Sequence, residues 1–116
     1  TNSNQPAKAQ ALLKPLTEQQ PSDRYAWQSL QLANEKIAKT TESPQLAKIA
    51  TINALRYRSH DQLWSGHYDR ALTSLTQAKQ LTEQMQKTAQ ASSARPLLAN
   101  INAEIKAVKT AKDFKP

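Results

Sequence analysis

The stretch Gly66-His67-Tyr68-Asp69-Arg70-Ala71-Leu72-Thr73-Ser74-Leu75-Thr76-Gln77-Ala78 decides the fold. It holds the only glycine in the chain. Glycine reaches positive φ without the clash a Cβ would make, so Gly66 reads as the C-terminal cap of a preceding helix. After it, Tyr68, Ala71, Leu72, Leu75 and Ala78 recur at helical spacing, and the stripe continues through Leu81 or Thr82 to Met85. Tyr68 packs over the turn, Leu75 supplies bulk, and the small Ala71 and Ala78 let a neighbouring helix come close. A tight turn between two amphipathic helices is a helical hairpin.

Working outward, the segment before Gly66 runs as a helix from about Pro44 to Ser65. Ser43 is its N-cap and Pro44 its first helical residue. It carries two apolar lines, Leu46, Ala50, Tyr57 and Trp64 on one side and Ile49, Ile52, Leu55 and Leu63 on another. A helix apolar on two sides is wedged between neighbours, so a central position is expected. Upstream, Ala26, Trp27, Leu30, Ala33 and Ile37 mark a helix over about Arg24 to Thr40. Ala9, Leu12, Leu13 and Leu16 mark another over about Ala7 to Gln19, kinked at Pro15 and stopped by Pro21-Ser22-Asp23. Downstream, the hairpin's second helix extends from Tyr68 to about Ala89. A loop at Ala91-Ser92-Ser93, with Ser93 as cap, then leads to a last helix over about Ala94 to Asp113. That helix carries Leu97, Leu98, Ile101, Ile105 and Val108, with Pro96 in its first turn. Short links between amphipathic helices predict antiparallel neighbours. The expectation is an all-α single domain over residues 1–116, about five helices in stacked hairpins.

Composition agrees with this. Hydrophobic residues are 38% and aromatics 5% of 116 residues. Narrow helical stripes suit so lean an apolar content better than a sandwich, and one glycine is too few for a set of β-turns. The absence of cysteine excludes disulfides, a CxxC redox site and thiolate metal ligation. The net charge is +7. It is spread along the chain rather than blocked, which favours a solvated surface but permits nucleic acid, anionic headgroups or acidic proteins as partners. No apolar run approaches the ~20 residues needed to span a bilayer. The chain opens Thr-Asn-Ser-Asn, which suggests a segment excised from a longer protein.

The pattern Gly66-x-Tyr68-x-x-Ala71-x-x-x-Leu75-x-x-Ala78 resembles the second half of the TPR unit, a helical hairpin repeating every ~34 residues. Ala9-x-x-x-Leu13, then Pro21, then Trp27, resembles the join between one unit and the next. Leu55 takes the position equivalent to Trp27 but lies 28 residues on, and Gln31 stands where a small residue is usual, so the repeats are irregular. More narrowly, four features are similar to the C-terminal TPR-like domain of bacterial zinc metallopeptidases of the BepA (YfgC) type. They are Ala11-Leu12-Leu13-Lys14-Pro15-Leu16 before Pro21, Ala26-Trp27, the Arg58 to Ala78 hairpin, and the ending Ala103-Glu104-Ile105-Lys106-Ala107-Val108-Lys109 through Asp113-Phe114-Lys115-Pro116. The resemblance implies a periplasmic domain that binds partners or presents substrates in outer-membrane protein assembly and quality control. The family's HExxH zinc protease lies in its N-terminal part. This chain has no HExxH, so neither peptidase activity nor zinc carries over to it.

Other chemistry is poorly supplied. His60 and His67 are seven apart across the Gly66 turn, not at the i, i+4 spacing of a helical zinc pair, so no metal site is expected. Acids are scattered and most serines fall in loops or caps, which leaves no catalytic constellation and no cofactor. Tyr25, Trp27, Tyr57, Trp64 and Tyr68 sit on apolar faces, where packing is their ordinary role and a peptide groove the functional alternative. Asn53, Arg56 and His60 are spaced i, i+3, i+7, beside Tyr57. Arg and Asn in such a line can hold a peptide carboxylate or backbone; an ordinary solvated strip is the plainer reading. Lys106, Lys109, Lys112 and Lys115 complement the dipole of the last helix, each by roughly 0.3–1 kcal/mol. The leading expectation is a non-catalytic protein-interaction domain recruiting clients or assembly partners, or contacting its own protease domain. The alternatives are a basic helical module for nucleic acid or anionic surfaces, and a purely structural scaffold.

Overall fold

The computed structural model describes residues 24–88 and 91–114. They form four helices: α1 (Arg24–Thr40), α2 (Pro44–Trp64), α3 (Tyr68–Gln86) and α4 (Ala91–Asp113). There is no strand among the described residues. The helix expected over Ala7–Gln19, with Pro15 and Pro21-Ser22-Asp23, lies outside them, as do Lys115 and Pro116.

The ends of α2 follow from local chemistry. Ser43 is extended at φ −86° and ψ 117°, and its Oγ accepts from the Leu46 N–H at 3.3 Å, satisfying one orphan donor of the first turn. At the other end Gly66 takes φ +79°. Its N–H donates to the Leu63 carbonyl at 3.0 Å, and the His67 N–H donates to the Gln62 carbonyl at 2.8 Å. These two bonds are the Schellman closure that the lone glycine predicts. The chain then reverses directly into α3.

Two expectations about boundaries are corrected. α3 stops at Gln86 rather than Ala89, and α4 starts at Ala91 rather than Ala94. Ala91-Ser92-Ser93 is therefore helical, and Pro96 lies inside the helix instead of in its first turn. Pro96 cannot donate to the Ser92 carbonyl, but Ser92 is exposed, so that carbonyl turns to water at small cost. Serine is also tolerated in an exposed first helical turn, and the buried Ala94 draws the turn onto the core.

Each helix packs on the next, α1 on α2, α2 on α3 and α3 on α4. The pairs are antiparallel: Arg24 at the start of α1 meets Asp61 near the end of α2, and Lys112 near the end of α4 meets Asp69 at the start of α3. α2 thus has neighbours on two sides, as its double apolar pattern predicts. The first of its lines fades at both ends, where Leu46 and Trp64 are exposed. α2 has 21 residues and α1 has 17, so α1 does not cover its whole length.

The apolar core belongs to α2, α3 and α4. Ile52, Ala71, Leu75, Ala78, Met85, Ala94, Ile101 and Val108 form one buried cluster, flanked by Ile49, Leu55, Leu63, Tyr68, Leu72, Leu81 and Ile105. Ala71 and Ala78 are fully buried, as close helix approach requires. Each large aliphatic chain here contributes roughly 1.5–3 kcal/mol by leaving water. α1 buries Ala26, Trp27, Leu30 and Ala33, but none of them belongs to this cluster. Asn34 is buried with them and turns its Nδ2 back to the Leu30 carbonyl at 2.9 Å.

Candidate functional site

Between its contacts with α1 and α3, α2 presents two further faces on opposite sides of the helix. Asn53, Arg56 and His60 lie on one, and Thr51, Leu55 and Arg58 on the other, as the 100° turn per residue requires.

The first face closes on Glu104 of α4. Arg56 donates from Nε to Glu104 Oε1 at 2.8 Å and from a terminal nitrogen to Oε2 at 3.3 Å. His60 Nε2 is 2.8 Å from Oε2 of the same carboxylate. A further Arg56 nitrogen donates to Asn53 Oδ1 at 3.4 Å. The Trp27 indole stacks on the His60 ring, with centroids 4.3 Å apart and planes 11° from parallel, and lies 5.9 Å from the Tyr57 ring. This single network joins α1, α2 and α4. Burial raises the pKa of Glu104, but the hydrogen bonds from His60 and Arg56, with the Arg56 charge, outweigh it and hold the carboxyl below its ordinary value. Of the partner-binding line marked in the sequence, Arg56 and His60 meet at the Glu104 carboxylate, Asn53 joins through Arg56, and Tyr57 is connected through the Trp27 ring.

Glu104 was not singled out in the sequence. It lies three residues after Ile101 and four before Val108, on the flank of a buried stripe. A lone acid there, on a helix otherwise basic until Asp113, is the signal that marks it. Asp61 plays a similar part nearer α1, accepting from Arg24 Nε at 3.0 Å and from Gln28 Nε2 at 3.3 Å. Ser74 donates to Gln62 Oε1 at 2.8 Å and fastens α3 to α2.

The second face opens into a groove of ≈ 530 Å³ between α1 and α2. α1 contributes Gln31, Glu35, Ala38 and Lys39, and α2 contributes Thr51, Ala54, Leu55 and Arg58. Ala38, Ala54 and Leu55 form an apolar floor, left open because two of the three side chains are methyl groups. Gln31 donates to Glu35 Oε2 at 3.0 Å. Lys39 stands four residues after Glu35, yet no ion pair forms between them. Of the groove residues the sequence marks Leu55 and Gln31 as repeat positions and Ala54 as a small residue allowing close approach, none of them as a site.

The other packing positions of the hairpin divide as expected from their size. Ala71, Leu75, Ala78 and Trp27 are buried, and Tyr68 is half-buried beside the Gly66 turn. A smaller hollow of ≈ 220 Å³ lies at that turn, and the Lys112–Asp69 pair at 2.6 Å crosses it. His67 occupies the N-cap position of α3 and makes no side-chain capping bond. Among the described residues no three His, Cys, Asp or Glu side chains converge as metal ligands, and no helix is long and apolar enough to cross a membrane. No family model, curated protein or solved structure gives a significant match to this chain.

Proposed function

We propose that this chain is a non-catalytic protein-interaction domain built of irregular TPR-like hairpins. The groove between α1 and α2 carries the reading: an apolar floor, polar walls and an extent suited to a short peptide segment. The Schellman turn at Gly66 and the close packing through Ala71 and Ala78 support the TPR-like description of the α2–α3 hairpin. In this reading a client or assembly partner lies along α1 and α2 while α3 and α4 hold those helices in place.

The resemblance of the sequence to the BepA-type C-terminal domain extends the proposal. The chain is then the C-terminal part of a periplasmic zinc metallopeptidase acting in outer-membrane protein quality control. It recruits substrates to, or regulates access to, a protease domain that carries the zinc. Catalysis and binding are divided along one polypeptide. Deleting this segment from such a parent is expected to abolish partner capture and slow client turnover while the protease still cleaves a short unstructured peptide. Unchanged capture and turnover would remove the proposal.

A further inference from the structure

We infer that the α1–α2 groove takes an acidic peptide segment of a protein partner, with Lys39, Lys48 and Arg58 as its cationic rim. The inference rests on the reading of the groove as the partner site and names the chemistry of its occupant. Lys39 and Arg58 line the groove directly. Lys48 is exposed one turn before Thr51 on the same face of α2. None of the three is ion-paired among the described residues. Three other cations are paired, Arg24 with Asp61, Arg56 with Glu104 and Lys112 with Asp69, and the remaining described lysines and arginines, such as Arg70, Lys79 and Arg95, lie off the groove. The one acid in the groove, Glu35, keeps its charge while one oxygen accepts from Gln31, and the three cations outnumber it.

The groove therefore offers positive charge beside an apolar floor. From Lys48 to Arg58 the rim runs ~15 Å along α2, the span of four or five extended residues. A segment alternating carboxylates with small apolar side chains fits both features: carboxylates meet the rim, and aliphatic chains cover Ala38, Ala54 and Leu55. The last helix is a weaker candidate, because its Lys106 and Lys109 are exposed on a single helix and line neither the groove nor the hollow at the Gly66 turn.

The test uses the whole chain and a peptide of about eight residues in which glutamate alternates with alanine and leucine, followed by backbone NMR shifts. The expected result is a saturable set of shifts at Gln31, Lys39, Thr51, Leu55 and Arg58. A version with glutamine for every glutamate should bind at least about tenfold more weakly, and Lys39→Glu or Arg58→Glu should each cost about tenfold. Lys106→Glu is expected to change nothing, and it controls for net charge. Equal binding of the glutamine peptide in the groove would overturn the acidic preference while leaving the groove as a partner site. Absence of groove shifts with either peptide would overturn both readings. Duplex DNA or anionic phospholipid vesicles producing the same shifts more strongly than the peptide would also overturn the inference.

Discussion

The two halves of this molecule are held together by different forces. Where α3 meets α4, Leu75, Ala78, Met85, Ala94 and Ile101 are fully excluded from solvent. Where α1 meets α2, Ala26, Leu30 and Ala33 are also buried, outside the main cluster, and polar links are added to them: Arg24 and Gln28 on Asp61 and the Trp27–His60 stack. The first interface is dry and apolar. The second is partly polar and borders an open groove. Apolar burial sums over area and has no angular preference, whereas exposed ion pairs contribute ~0–1 kcal/mol each. Because part of its interface is polar and borders the groove, α1 is the helix expected to adjust around something bound, with α3 and α4 as the more rigid pair.

The sharpest way to break this comparison is to remove matched bulk from each half. Ile101→Ala is expected to cost ~2–5 kcal/mol, because the surrounding core cannot close the void. Leu55→Ala, on the half-buried groove floor, should cost about 1 kcal/mol or less. Urea denaturation of both variants checks it, and equal losses would erase the distinction between the halves.

The Glu104 bridge is the next largest expected effect, since it ties α4 through Arg56 and His60 to α2 and, by the His60 stack, to Trp27. Glu104→Ala strands Arg56 and His60 and should destabilise by ~1–3 kcal/mol. The pH dependence follows from the carboxyl's lowered pKa. Below its ordinary value of 4.5 the unfolded chain takes up this proton before the folded one does. The contribution of Glu104 is therefore fully present above that value and is lost as pH falls through the folded-state pKa. Glu104→Gln should flatten the acid limb of the stability curve in denaturation at stepped pH. An unchanged acid limb would mean that the bridge carries no weight.

Gly66→Ala should cost about 1 kcal/mol, less than Ile101→Ala or Glu104→Ala. A Cβ there meets nothing within 4 Å, so only the strain of φ +79° remains. A circular-dichroism melt of this variant should show a modest drop with the helix content intact.

What the sequence revealed follows the same division. The end of α1, the Ser43–Pro44 start and the Gly66 closure depend on residues within one turn of each other, so they were readable directly. The start of α4 was misplaced because Ser92 and Ser93 look like a loop until the buried Ala94 is known to draw the turn inward. The Arg56–Glu104 bond joins residues 48 apart, and only the return of α4 across α2 brings them together. Asn53, Arg56 and His60 were recognisable as a line, but the carboxylate that closes it was not. The groove was hidden for another reason: it exists where Ala38 and Ala54 fail to fill space, and a void has no residue of its own.

Native-state hydrogen exchange of the chain without ligand tests the division between an anchoring and an adaptable half most directly. Amides of α3 and α4 around Leu75, Met85 and Ile101 should exchange only through global unfolding, and those of α1 through a separate opening at lower free energy. Protection in α1 equal to that in α3, or opening of α4 before α1, would contradict it.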